Sequence, residues 1–178
     1  VSRAHPVRLA REDAPWFIGA IAAGGVIGPV LLMFGLGGMP ASGAALLLNA
    51  ECVFTALLAW FAFNENFDRR IAWGMIAIVC GAVILSWPGE SHYSGLWPAL
   101  AVVGACLAWG IDNNLTRKVA LLAATWVASV KGLVAGCVNL VLAFSLGAAL
   151  PPAANAAGAL VVGFFAYGVS LVFFVLGL

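Results

Sequence analysis

Residues 42–87 read SGAALLLNAECVFTALLAWFAF, then NENFDRR, then IAWGMIAIVCGAVILSW. The first run holds one charged residue, Glu51, and the last holds none, while the seven residues between them hold Glu65, Asp68, Arg69 and Arg70. At about 1.5 Å rise per residue, two such apolar runs joined by a short charged loop each reach across a hydrocarbon core of about 30 Å. The pattern is that of a chain folded in lipid.

The same alternation extends outward in both directions. Apolar stretches occupy 16–38, 42–63, 71–87, 95–111, 121–147 and 155–178. Seven of the eight lysines and arginines fall in three clusters: Arg3, Arg8 and Arg11; Arg69 and Arg70; Arg117 and Lys118. Every second gap is therefore basic, which places all seven on the cytoplasmic side and leaves the loops at 37–41, 88–93 and 150–152 outside. Composition agrees, with 64% hydrophobic residues, 8% charged and a mean hydropathy of +1.09, against roughly 25% charged in a soluble domain. The expected fold is an all-α, polytopic transmembrane helical bundle of about six helices. No basic patch points to nucleic acid, and the seven tryptophans, mostly near helix ends, read as interfacial anchors.

Cys52, Cys80, Cys106 and Cys137 fall in four different stretches with no C-x-x-C spacing, so they read as small packing residues rather than metal ligands. No cofactor is implied. His5 and His92, like Glu12, Asp13 and Glu90, sit in loops, with Glu65 and Asp68 balancing the Arg69 and Arg70 pair. The pairs Gly24 with Gly28 and Gly132 with Gly136 have the G-x-x-x-G spacing that lets a neighbouring helix approach closely.

The stretch from Leu46 to Trp87 resembles the EamA-type repeat of the drug/metabolite transporter superfamily. It carries a helix with Asn49 and the run Glu51-Cys52-Val53-Phe54, an end at Asn64-Glu65, a basic turn, and a helix with Gly74 and Gly81. The segment 109–118 and the run 130–136 resemble the start of that family's second repeat. Cys52 stands where the family usually has proline, which puts a kink beside Glu51 in question, and Asn64 stands where it often has glycine. The resemblance implies ten helices in two inverted five-helix repeats. This chain, opening on Val1 and closing in an apolar stretch, then reads as a fragment covering about helices three to eight. Its expected parts are a cytoplasmic basic loop at 1–15, the last three helices of the first repeat at 16–87, an external loop at 88–94, and the first three helices of the second repeat at 95–178. At an offset of 140 residues, Gly28 meets Gly168, Leu31 meets Leu171, Phe34 meets Phe174, Leu36 meets Leu176 and Gly37 meets Gly177. Such a pair of helices inserts in opposite directions, as inverted repeats require.

Within the apolar stretches a few polar side chains stand out. Glu51 lies about 15 Å from either end of its helix, where an ionisable group is costly and by default functional. A carboxyl in dry surroundings favours its uncharged form, which suits proton binding and release; the other reading is a glutamate that holds helices together. Lys131 is either a snorkelling or paired structural cation or a fixed charge on the pathway, with Asp112 or Glu51 as partner. Asp112, Asn113 and Asn114 are expected to close the fourth helix, capping it or lining a vestibule, with Trp109 on the face of Asn113. Asn49, Thr55, Tyr167 and Ser170 are weaker candidates for a substrate contact, otherwise serving as interhelical hydrogen bonds.

The expected function is secondary transport of small metabolites, amino acids or drug-like compounds by alternating access, with proton coupling through Glu51. The resemblance extends this to efflux across a bacterial cytoplasmic (inner) membrane, with a small-molecule substrate, the lipid bilayer and a homodimer as partners. The alternatives are a non-transporting scaffold and an intramembrane enzyme. For the latter, H-E-x-x-H and G-x-S-x-G are absent from the sequence.

Overall fold

The computed structural model describes residues 10–66, 68–86, 96–119 and 124–177. Arg3, His5, Arg8, Trp87, Glu90, His92 and the expected external loop at 88–94 lie outside the described residues. Among those described, five helices are long and apolar enough to cross a membrane: α1 Ala14–Gly38, α2 Ala41–Phe61, α4 Leu96–Lys118, α5 Ala124–Ser145 and α6 Ala153–Gly177. The stretch expected as a third span forms α3, Arg69–Ser86. Its first turn takes in both arginines that the sequence placed in the preceding loop. Asp68 is the reason: its carboxylate accepts from the Arg70 amide at 2.7 Å and its carbonyl from Ala72 at 3.1 Å, an N-cap that starts the helix at once.

Three of these helices are irregular, two of them in ways their residues explain. In α1, the segment Ile21–Ile27 widens to π-helical i→i+5 bonding just before Pro29. Proline has no N–H and crowds the carbonyl four residues back, so the turn before it cannot keep regular α-helical bonds. Helix α6 carries a second π segment, Gly163–Val169. In α2 the helix breaks at Asn49 into Ala41–Leu48 and Ala50–Phe61, so a discontinuity forms beside Glu51 although Cys52 replaces the proline. The Asn49 amide reaches back only three residues, to Leu46 O at 3.3 Å, a tightened turn.

Helix ends follow local chemistry too. Pro40, extended at φ −60° and ψ 142°, separates α1 from α2. Beyond α2, Asn64 takes φ 54°, the left-handed backbone that glycine adopts freely and asparagine tolerates best among the rest. That conformation accounts for Asn64 standing in a glycine position. Gly147, at φ 84°, ends α5, with its amide on Phe144 O at 3.0 Å and the Ala148 amide on Ala143 O at 2.9 Å.

The chain divides into two compact units, Val1–Ile21 with Leu115–Leu178, and Ala22–Asn114. In the first, Phe17, Val119, Ala124, Val127 and Val175 form the core, with Leu171 and Val172 packed against them. Phe17 and Trp126 stack with centroids 5.4 Å apart, so Trp126 also packs within this unit. In the second, Met39, Ala44, Val102 and Cys106 form the core, flanked by Leu32, Leu36, Leu47, Leu48 and Phe54. Large apolar side chains otherwise point outward: Phe34, Trp73, Leu133, Phe164 and Phe173 are exposed, and Trp97 is 82% exposed. A water-soluble domain does not present such a surface.

Candidate functional site

The second unit is organised by glycines on α1. A Cβ at Gly24 would overlap the Asp112 carboxyl, one at Gly28 would lie 2.7 Å from Trp109 Nε1, one at Gly35 would overlap the Val102 side chain, and one at Gly38 would lie 2.5 Å from Pro98 Cγ. As the position on α1 rises from 24 to 38, its opposite on α4 falls from 112 to 98, so the two helices run antiparallel in close contact. The expectation for Gly24 and Gly28 holds. For Gly132 and Gly136 no such approach is seen: an added Cβ would meet nothing within 4 Å among the described residues.

Helix α4 also differs from expectation at its inner end. Asp112, Asn113 and Asn114 do not close it; the helix continues to Lys118. Asparagine and aspartate end helices when their side chains turn back on the local backbone, and here most of that bonding capacity is taken by other helices. Asn113 Nδ2 donates to Glu51 Oε1 and to Thr55 Oγ1, both at 3.1 Å. Asn114 Nδ2 donates to Thr55 O at 2.9 Å and, within α4, to Gly110 O at 2.8 Å. Trp109 Nε1 donates to Gly24 O at 3.0 Å. Asp112 is buried, against Gly24 and within electrostatic reach of Glu51.

The result is a polar cluster halfway along a span. Glu51 is the eleventh of the twenty-one residues of α2, about 15 Å from either end. Glu51, Thr55, Asn113 and Trp109 are all half-buried. A carboxylate, an amide and a hydroxyl here form one hydrogen-bonded chain in an apolar setting, an arrangement able to hold a polar ligand or to pass a proton.

Other expected site residues lie elsewhere. Asn49 spends its amide on Leu46 O at 3.0 Å and Ala45 O at 3.4 Å of its own helix, and so dresses the α2 break. Ser170 Oγ donates to Ala166 O at 2.5 Å and Tyr167 O at 3.2 Å, again within its own helix; Tyr167 is exposed. Lys131, 2% exposed, belongs to the first unit, where its Nζ donates to Thr116 Oγ1 at 2.9 Å. Cys52, Cys80 and Cys137 are exposed rather than packed. Buried Cys106 has surroundings that the sequence does not show: its thiol faces Leu47 O at 3.5 Å and Leu48 O at 3.9 Å, carbonyls at the α2 break. Among the described residues no group of three or more His, Cys, Asp or Glu could hold a metal.

Comparison with known proteins gives the same direction. Residues 3–87 match the EamA-like transporter family. The chain is 31% identical over 150 residues to an uncharacterized transporter of Methanothermobacter thermautotrophicus, covering 79% of this chain and 42% of that protein. It is 30% identical over 105 residues to purine permease 2 of Arabidopsis thaliana (54% of this chain, 29% of the relative). It is 29% identical over 86 residues to a probable amino-acid metabolite efflux pump of Salmonella typhimurium (46% and 28%). The chain thus spans less than half the length of the curated relatives it matches. No solved structure matches it significantly. With its apolar helices and outward-facing aromatic residues, the molecule is a multi-pass integral membrane protein, and its residues 3–87 are an EamA-like transporter segment.

Proposed function

We propose that the protein is a secondary transporter that moves small organic compounds, metabolites, amino acids or drug-like molecules, across a bacterial cytoplasmic membrane by alternating access, with Glu51 exchanging a proton during the cycle. The observation that carries the reading is the Glu51, Thr55 and Asn113 cluster, a hydrogen-bonded carboxylate halfway along an apolar span. Such groups mark substrate and proton paths in membrane proteins. The broken α2 supports it, since discontinuous helices are where transporters form their midplane sites.

The inverted-repeat organisation, with 16–87 in one repeat and 95–178 in the next, is supported by a second feature. Shifted by the 140-residue offset, the π segment at 21–27 falls on 161–167 and overlaps the π segment Gly163–Val169. Two helices with a rare distortion in matching places are what a duplicated element would carry. Purines and amino-acid metabolites, the compounds in two relatives' names, are small polar molecules of the kind that a hydrogen-bonding cluster can hold.

The test is uptake or efflux by the full-length protein in vesicles at varied pH, comparing wild type with Glu51→Gln. Glutamine keeps the shape and the acceptor for Asn113 but carries no titratable proton, so the pH dependence should flatten. A pH profile unchanged by the substitution removes Glu51 from coupling.

A further inference from the structure

Helix α1 has a gap in its hydrogen bonding that its own sequence creates. In the i→i+5 register of Ile21–Ile27, the donor to Gly24 O would come from residue 29, which is proline and has no N–H. Trp109 Nε1 on α4 donates to that carbonyl at 3.0 Å. The indole reaches it because Gly28 has no side chain, a Cβ there falling 2.7 Å from Nε1 and 3.1 Å from Cδ1. One turn further along α4, Asn113 holds Glu51 and Thr55. One turn earlier, Cys106 covers the carbonyls at the α2 break.

We infer that Trp109 is a positioning residue that ties the π segment of α1 to the Glu51 site. By completing the bonding of Gly24 O, it fixes the rotation of α4 and so keeps Asn113 against Glu51. Release of either contact then loosens the other, since a coupling between two sites acts equally in both directions. The inference rests on the transport reading only for what the coupling serves, because the contacts themselves are measurable without a substrate.

The experiment uses full-length protein in lipid nanodiscs, with Cys52, Cys80 and Cys137 replaced by alanine so that Cys106 is the reporter thiol within the chain described here. Trp109→Phe keeps an aromatic ring and deletes the N–H. Hydrogen exchange in peptides covering 21–28 should quicken about fivefold, the worth of one ordinary hydrogen bond, while peptides covering the second π segment, 163–169, stay unchanged. Maleimide labelling of Cys106 should rise by a similar factor. Gly28→Ala, which displaces the ring, should reproduce both effects should Trp109→Phe fail to fold. Asn113→Ala should quicken exchange at 21–28 in return. Unchanged exchange at 21–28 in both Trp109→Phe and Gly28→Ala overturns the inference, as does equal quickening at 21–28 and 163–169, which is general destabilisation. Quickened exchange at 21–28 with Cys106 labelling unmoved also overturns it, because the tie then stops at α1. An unaltered pH profile in Glu51→Gln with these linked changes present would remove Glu51 from proton coupling and leave the Trp109 tie standing.

Discussion

Gly35 and Gly37 sit two residues apart on α1 and face different surroundings. A Cβ at Gly35 would overlap Val102 Cγ2 and lie 3.0 Å from the Pro98 carbonyl oxygen and 3.3 Å from the Val102 amide nitrogen. A Cβ at Gly37 would meet nothing within 4 Å. Replacing either glycine by alanine gains a similar helix preference, about 1 kcal/mol, so that contribution cancels between the two variants. What remains is overpacking at Gly35, where backbone atoms of α4 must move, at a cost of about 1–3 kcal/mol. Gly35→Ala should therefore be less stable than Gly37→Ala by that amount. At ~2–4 °C per kcal/mol for a chain of this size, the melting temperatures in detergent should differ by about 5 °C. The assay is thermal exposure of buried Cys106 to a fluorogenic maleimide, with Cys52, Cys80 and Cys137, exposed before any unfolding, replaced by alanine. A Gly35→Ala protein melting at or above Gly37→Ala would refute the close approach of α1 and α4, and with it the geometry that places Trp109 and Asp112.

Three further outcomes follow from the same structure. In a cysteine-free background, Asn66→Cys should react with an impermeant thiol reagent from the cytoplasmic side only and Leu150→Cys from the opposite side only; labelling of both from one side would break the threading drawn from the basic clusters. Thr116→Val, which takes the hydroxyl acceptor from buried Lys131, should cost about 1–3 kcal/mol, whereas Lys131→Met should leave stability within about 1 kcal/mol because it removes the buried charge as well. A Lys131→Met protein that folds and no longer transports would assign Lys131 to the pathway; one that does both assigns it to structure. At the end of α2, Asn64→Gly should be neutral or slightly stabilising and Asn64→Val should cost about 1–2 kcal/mol in the left-handed backbone, read by the same melting assay.

The spans were legible because they depend on composition, which a sequence states directly. Runs of roughly twenty apolar residues punctuated by arginines have one economical solution in lipid, and α1, α2, α4, α5 and α6 occupy it. Helix ends were less legible. The run Asp112-Asn113-Asn114 has the composition of a helix stop, yet α4 passes through it, because Glu51 and Thr55 on α2 and Gly24 on α1 take up those side chains. Residues 58 or more positions away in the chain decided the matter. Glycine spacing was an incomplete guide for the same reason: Gly24 with Gly28 and Gly132 with Gly136 are the same motif, and among the described residues it is the first pair that has side chains of another helix against it.

The site was legible in its carboxylate and not in its support. Breaks in a transmembrane helix leave backbone carbonyls that lipid cannot satisfy, and each such group costs several kcal/mol unless protein supplies a donor. Among the described residues of the second unit there are two such places, the turn before Pro29 and the turn at Asn49. Both receive donors from a single stretch of α4: Trp109 for Gly24 O, and Cys106 for Leu47 O and Leu48 O. The same stretch supplies Asn113 to Glu51 and Asn114 to Thr55 O. A residue set that looks polar at random along α4 is therefore a strip of donors matched to the irregularities of its two neighbours. A sliding or rotation of α4 would therefore change the donors that reach Gly24 O, the α2 break and Glu51 together. Under the proposed alternating access, that shared dependence would link a carboxylate in the middle of a helix to movement of whole helices.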